Sequence, residues 1–278
     1  MERIPFGVRQ LDSIVNGGAP TGSVVLLSGE AGAGAREFMH TSAVVNGIAH
    51  VDDDLFDLHY GTPSANAVLP EEVHYISFTA SGSQLVDEMR IAMDDSVVDA
   101  GTEAVEFHDL SERYFHISPV PREWYAEKTP NIKDLRARHD REDLLGALGM
   151  LLNDVAGGNL VVIDSLSDLV SAMGEEITWA DISFLVSGLQ KAAYEWGGLI
   201  LLYVNHDTLS DVRHGQLSDA AHGTMRFAWE SGGSTRARTL VIKQFRGVLS
   251  EIEDENIVQF ETEIGDAGFD ISDVRKIR

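Results

Sequence analysis

Ser23-Val24-Val25-Leu26-Leu27-Ser28 runs directly into Gly29-Glu30-Ala31-Gly32-Ala33-Gly34-Ala35-Arg36. An unbroken apolar run of this length reads as a strand buried on both faces, the type found in parallel sheets. Three glycines then break the run, and a helical stretch begins near Arg36 and reaches about His50. Strand, glycine loop and helix in that order are the setting of a phosphate loop. The pattern G-x-x-x-x-G-K-[ST] works because glycines let backbone N–H groups curl around phosphate oxygens. The lysine then neutralises the outer phosphates, and the hydroxyl holds magnesium. Gly29 and Gly34 fill the glycine positions, but Ala35 stands at the lysine and Arg36 at the hydroxyl. A tight strand-to-helix turn uses the same glycines, so the loop alone decides nothing.

Further along, Leu160-Val161-Val162-Ile163-Asp164-Ser165 is an apolar strand ending in a carboxylate. In phosphate-loop proteins such an aspartate orients magnesium; a strand-end carboxylate also caps helices. Val73–Phe78 and Leu199–Val204 are two more buried strands, and a short one is expected over Ala104–Phe107. Helices are expected around Leu85, Met89 and Met93, over Asp143–Val155 and over Trp179–Trp196. After Thr224 the pattern alternates, with Met225–Trp229, Thr239–Phe245 and Ile257–Glu263 reading as hairpin strands. The expected fold class is α/β: a central, mostly parallel sheet flanked by helices, with antiparallel strands at the C-terminal side. Residues 1–278 read as one domain, with 51–72 and 109–140 as surface excursions.

Several motifs together resemble the KaiC-like ATPases of the RecA superfamily. They are Ile4-Pro5-Phe6-Gly7, Leu11-Asp12, Gly17 to Ser23, the Gly29–Gly34 loop, Val162-Ile163-Asp164-Ser165 and Lys243-Gln244-Phe245-Arg246-Gly247. Within that group the chain is similar to the HTR-like proteins of salt-loving archaea, relatives of KaiC, the gas-vesicle regulator GvpD and the archaellum component ArlH. The resemblance implies a RecA-type phosphate-loop fold, a cytoplasmic location and a nucleotide held between subunits. It assigns the nucleotide site to Gly29, Glu30, Ala31, Gly32, Ala33, Gly34, Ala35, Arg36, Asp164, Asn205, Lys243 and Arg246. Asn205, rather than the neighbouring His206-Asp207, is the expected polar sensor after the Leu199–Val204 strand.

The departures are chemical. In the family, the strand matching Val73–Phe78 ends in paired glutamates that activate the attacking water. Here Thr79 and Ala80 stand there, and neither takes a proton near neutral pH. Glu71 and Glu72 precede the strand, at its wrong end. No catalytic residue is assigned, and Asp164 is the one carboxylate left for a magnesium ion. ATP or ADP is expected to bind weakly, with magnesium disfavoured. Arg36 and Asp164 are expected to face each other across the magnesium position, since a guanidinium fork matches a carboxylate. The family spacing Lys-x-Arg-Gly gains a residue in Lys243-Gln244-Phe245-Arg246-Gly247, which leaves open whether Lys243 or Arg246 inherits the role of reaching a neighbouring subunit.

Composition narrows the function classes. The 278 residues carry 45 acids against 21 bases, a formal charge of −24, with only five lysines and no cysteine. Disulfides and thiolate metal sites are excluded, and nucleic-acid binding is disfavoured because it needs basic patches. So acidic a chain is at ease where salt screens it, the Debye length shrinking to about 3 Å at 1 M. No apolar run approaches the ~18 residues of a membrane span, and the N-terminal residues lack a signal-peptide pattern. The ten histidines show no metal-ligand spacing. The expected function is a catalytically degraded KaiC-like protein, regulatory or scaffolding, working through self-association or a protein partner in a salt-adapted cytoplasm. The alternatives are an ATP-binding sensor, and an active ATPase with relocated catalytic groups.

Overall fold

The computed structural model describes residues 1–125, 141–173, 178–232, 235–254 and 257–276. Its strands are β1 (Arg3–Ile4), β2 (Ala19–Pro20), β3 (Ser23–Gly29), β4 (Val73–Ser77), β5 (Val105–Asp109) and β6 (Leu160–Asp164). They continue with β7 (Leu199–Asn205), β8 (Gly223–Gly232), β9 (Thr235–Phe245), β10 (Ile257–Gly265) and β11 (Gly268–Lys276). β1 and β2 form a small antiparallel ribbon, and the other nine make one sheet in the order β11-β10-β9-β8-β3-β7-β6-β4-β5. The strands β8, β3, β7, β6, β4 and β5 are parallel neighbours, whereas β8 to β11 pair antiparallel. This is the α/β architecture the sequence predicts.

The unbroken apolar runs exist because both faces of the sheet are covered. Val25 and Leu27 point to one side, against Phe38, Met39 and Val45 of the helix Ala35–Ile48. Val24 and Leu26 point to the other, into the core that also holds Leu148 and Leu152 of Arg141–Val155 and Val186 of Trp179–Trp196. Phe38 anchors the start of its helix. Its ring centroid lies 5.8 Å from that of Phe6, 5.3 Å from Phe227 and 5.3 Å from Phe269. Burying one such side chain contributes about 1.5–3 kcal/mol, and this one sits two residues from Arg36. Packing on the sheet therefore holds the glycine loop in place.

The stretch 51–72 is more ordered than its composition suggests. Asp53–His59 is a helix, capped by the Asp52 carboxylate accepting the Leu55 N–H at 2.9 Å. Phe56 and Tyr60 are buried, and the Tyr60 hydroxyl donates to Asp12 at 3.1 Å. Asp12 also accepts the N–H groups of Phe6 and Gly7, at 2.9 and 3.0 Å. Burial pushes its carboxyl up to about 7, against the pull of those donors. The Leu11-Asp12 motif thus ties the N-terminal segment to this helix. Of the second excursion, Ser111–His116 is helical and Arg122–Trp124 forms a 3-10 turn; residues 126–140 lie outside the described residues. Among the described residues no helix is long and apolar enough to cross a membrane.

Candidate functional site

The glycine loop lies at the C-terminal end of β3, where ligands of parallel α/β sheets bind. Gly29 ends the strand, Gly32 and Gly34 adopt φ of +71° and +106°, and the helix starts at Ala35. Only glycine adopts such angles without strain. A Cβ on Gly29 would stand 2.5 Å from that of Ala35, and one on Gly34 would stand 3.1 Å from the Phe269 ring. The loop is tied down from several sides. Glu30 N–H donates to Phe227 O at 3.0 Å, Ala31 N–H to the Asp207 carboxylate at 3.3 Å and Ala33 N–H to Glu30 O at 3.0 Å. Its carbonyls are clamped by the β8–β9 hairpin: Trp229 Nε1 donates to Ala31 O at 3.0 Å and Arg238 Nε to Gly32 O at 3.1 Å. Arg238 also stacks over the Trp229 ring at 4.8 Å. The helix's own ladder begins with Phe38 N–H on Gly34 O, so the N–H groups of its first turn face outward from the ladder.

A cleft of about 510 Å³ opens beside this turn, lined in part by Glu30, Arg36, Glu37, Asp168, Tyr203 and Asn205. Below it, Arg36 Nη2 donates to Asp164 Oδ1 at 3.1 Å. The Tyr75 hydroxyl takes Asp164 Oδ2 at 3.2 Å. The expected ion pair is present, but through a single oxygen rather than two, because the tyrosine holds the other. Burial pushes the Asp164 carboxyl above the ordinary range, and the Arg36 charge pulls it part of the way back. For Arg36, burial works against the charge, but Asp164 together with Tyr75 and Tyr203 outweighs it and the guanidinium is held charged. The guanidinium also lies 5.6 Å from the Tyr203 ring centroid. One turn on, burial and then Arg36 push His40 down to about 3, so it stays neutral.

Asp164 is not a helix cap. That place belongs to Ser165, joined to Asp164 by a cis peptide: its Oγ accepts the Asp168 N–H at 3.1 Å and donates to the Asp168 carboxylate at 2.6 Å. Asn205 is paired with Gly29 across β7 and β3, and its side chain accepts the Asp207 N–H at 3.0 Å. Its own N–H rests on Ser167 Oγ at 2.8 Å. Thr79 and Ala80 turn the chain after β4, their N–H groups held by Ser77 Oγ at 3.3 and 3.1 Å. Glu72 lies at the other end of that strand, its N–H on Asn159 Oδ1.

No protein-family model and no curated protein matches the sequence. Among solved structures the chain is similar to a KaiC-like protein from the hyperthermophilic archaeon Pyrococcus horikoshii. The two share a TM-score of 0.63 and 18% identity, over 98% of this chain and 99% of that one. The chain has the KaiC-like RecA fold.

Within that fold the nucleotide residues expected from sequence divide into two groups. Glu30, Ala31, Gly32, Gly34, Ala35, Arg36 and Asn205 line the cleft, Asp164 lies beneath it on Arg36, and Gly29 and Ala33 are buried behind the loop. Lys243 and Arg246, expected to reach a neighbouring subunit, lie away from it. Both are exposed on β9 and the turn after it, and the β8–β9 register skips Lys243, pairing Ile242 with Met225 and Gln244 with Thr224. Lys243 instead borders a separate hollow with Ser28, His206, His214 and Arg226. Sequence reasoning missed Tyr75, Tyr203, Asp168 and Glu37, and also the Trp229 and Arg238 clamps. Tyr75 and Tyr203 look like ordinary core positions in apolar strands, and nothing local marks them.

The cleft suits part of a nucleotide and not the rest. Outward-facing amides at a helix start favour an anion. The side chains oppose it: Ala35 supplies no cation, Arg36 is committed to Asp164, and Glu37 and Asp168 line the walls beside a Glu30 that is paired with Arg226 at 3.3 Å. A magnesium triphosphate does not fit this donor set.

Proposed function

We propose that this protein is a KaiC-like RecA-fold protein that has left ATP hydrolysis and acts as a regulatory or scaffold component. It works through self-association or a protein partner, in a salt-adapted cytoplasm. One observation carries the reading: the 3.1 Å contact of Arg36 with Asp164, in the place where a magnesium ion would join a loop hydroxyl to the same carboxylate. Ala35 and the Thr79-Ala80 pair support it, since they offer neither a phosphate cation nor a water-activating base. Loss of groups that act only in the transition state lowers rate directly. The decisive experiment is phosphate release by the full chain in multimolar KCl with saturating magnesium-ATP. The expected rate equals the buffer background and is unchanged by Asp164→Asn; a rate abolished by that substitution overturns the reading.

The outward amides at the start of the Ala35–Ile48 helix favour a second reading, an ATP- or ADP-binding sensor. Saturable binding of a fluorescent ATP analogue without phosphate release supports it over a nucleotide-free scaffold.

A further inference from the structure

A second cluster of chemistry lies at the sheet edge, on β4 and β5. The parallel register sets His74 opposite Glu106 and Ile76 opposite His108. Alternation then puts His74, Glu106 and His108 on one face. His74 Nδ1 lies 3.1 Å from His108 Nε2 and 3.6 Å from Glu106 Oε2, and His108 Nε2 lies 3.9 Å from Glu106 Oε1. His74 is buried, its side chain 1% exposed, whereas that of Glu106 is 65% exposed.

The orientation of His74 is set from behind. Its Nε2 lies 3.1 Å from Glu72 Oε2, and an ionised carboxylate only accepts, so Nε2 carries the proton. The Asn159 amide nitrogen lies 2.8 Å from Val155 O, 3.4 Å from Glu72 Oε2 and 3.3 Å from His74 Nε2 itself; its two protons go to the two oxygens, the better acceptors, and Nε2 keeps its own. The lone pair of His74 is therefore on Nδ1, which faces His108 and Glu106. A carboxylate behind a histidine, fixing its tautomer and ring, is how metal-ligating imidazoles are held.

We propose that His74 Nδ1, His108 Nε2 and a Glu106 carboxylate oxygen bind one divalent transition-metal ion of the zinc class, with a fourth position open to water. Two imidazole nitrogens on a tetrahedral zinc, at 2.0–2.1 Å each, stand roughly 3.3 Å apart; the observed separation is 3.1 Å. Two imidazoles and one carboxylate suit zinc, whereas calcium and magnesium take oxygen-only shells. The ion would clip the edge strand β5 to β4. It is separate from the loop cleft, which lies at the C-terminal end of β3, three strands away from β4 in the sheet. The competing arrangement is a polar chain in which His108 donates its proton to His74 Nδ1.

The test is a titration of the full chain with zinc against a chromophoric chelator in multimolar KCl, where weak binding to scattered carboxylates is suppressed. Cobalt is then used to report geometry. One tight equivalent is expected, with the visible absorption of four-coordinate cobalt, and a thermal midpoint that rises on adding zinc. Glu106→Gln and His108→Asn should each weaken it by about tenfold or more and abolish the cobalt band. Should His108→Asn fail to fold, Glu106→Gln at its exposed position carries the test. No tight equivalent in the wild type, or unchanged affinity in Glu106→Gln, overturns the proposal in favour of the polar chain.

Discussion

The Tyr75 hydroxyl donates to Asp164 Oδ2 at 3.2 Å, occupying the one oxygen that Arg36 leaves free. The carboxylate therefore has both oxygens engaged inside the sheet. Removing either donor leaves a buried, under-satisfied charge. Arg36→Ala is expected to cost about 1–3 kcal/mol, below the cost for a fully buried pair because the Arg36 side chain is 45% exposed. The cost should depend on pH. Burial already holds the Asp164 value above that of an unfolded carboxylate, so the stability linked to its protonation is present at low pH. It is lost as pH rises through the folded value. Without Arg36 that value climbs further, so the deficit should be smaller near about pH 5 and larger near about pH 8. Urea midpoints at the two pH values check the sign, and Arg36→Ala with Asp164→Asn should recover part of the loss.

Restoring the loop should restore binding before chemistry. Ala35→Lys with Arg36→Thr supplies a phosphate cation and a magnesium hydroxyl and releases Asp164 to the metal. Thr79 and Ala80 still offer no base near the cleft. Affinity for a fluorescent ATP analogue is therefore expected to rise at least about tenfold, as adding a charge-assisted contact does, while phosphate release stays at background. Turnover appearing in step with binding would show that the catalytic group lies elsewhere in the fold.

Gly29 is required by its neighbour rather than by its own backbone angle. Gly29→Ala places a methyl 2.5 Å from the Ala35 Cβ and is expected to destabilise the protein by about 1–3 kcal/mol through overpacking. Ala35→Gly removes the opposing atom and should rescue part of that, less about 1 kcal/mol for glycine in a helix. Thermal midpoints of the two single variants and the double variant measure the coupling, and simple additivity would refute the contact argument.

What the sequence disclosed follows from how local each signal is. The buried strands β3, β4, β6 and β7 announce themselves as apolar runs, and the glycine loop as punctuation between strand and helix. Trp179–Trp196 is helical over the predicted span. The helix Asp53–His59 hid because only Phe56 on it is buried, so it shows little apolar periodicity. Asp95–Thr102 hid for another reason: it packs on the Ala35–Ile48 helix through Gly101 and Gly47, where a Cβ on either would stand within about 2.5 Å of backbone. Small residues at a close crossing carry no hydrophobic signal. The strand β11 was missed because polar residues alternate along it at an exposed edge of the sheet. At the site, Arg36 facing Asp164 was legible from motif positions alone. The Trp229 and Arg238 clamps reach the loop from about 200 residues away in sequence, a distance over which no local pattern speaks.

The formal charge of −24 makes salt the last variable. Screening acts on attractions and repulsions alike, so the sign depends on which are more numerous. Arg90 pairs with Asp87 and Asp99 at 3.1 and 2.8 Å, and Arg275 with Glu230 at 2.7 Å. Exposed pairs of this kind add little to stability, so screening them costs little. With 45 acids against 21 bases, most carboxylates have no cation to lose, and their mutual repulsion destabilises the compact state. The thermal midpoint is therefore expected to rise steadily from low salt into multimolar KCl. Neutralising exposed acids remote from the cleft, by Asp57→Asn and Glu103→Gln, should raise the midpoint at low salt and flatten the slope. A midpoint that is flat in KCl, or highest at low salt, would show that the acids serve a partner surface rather than a saline solvent.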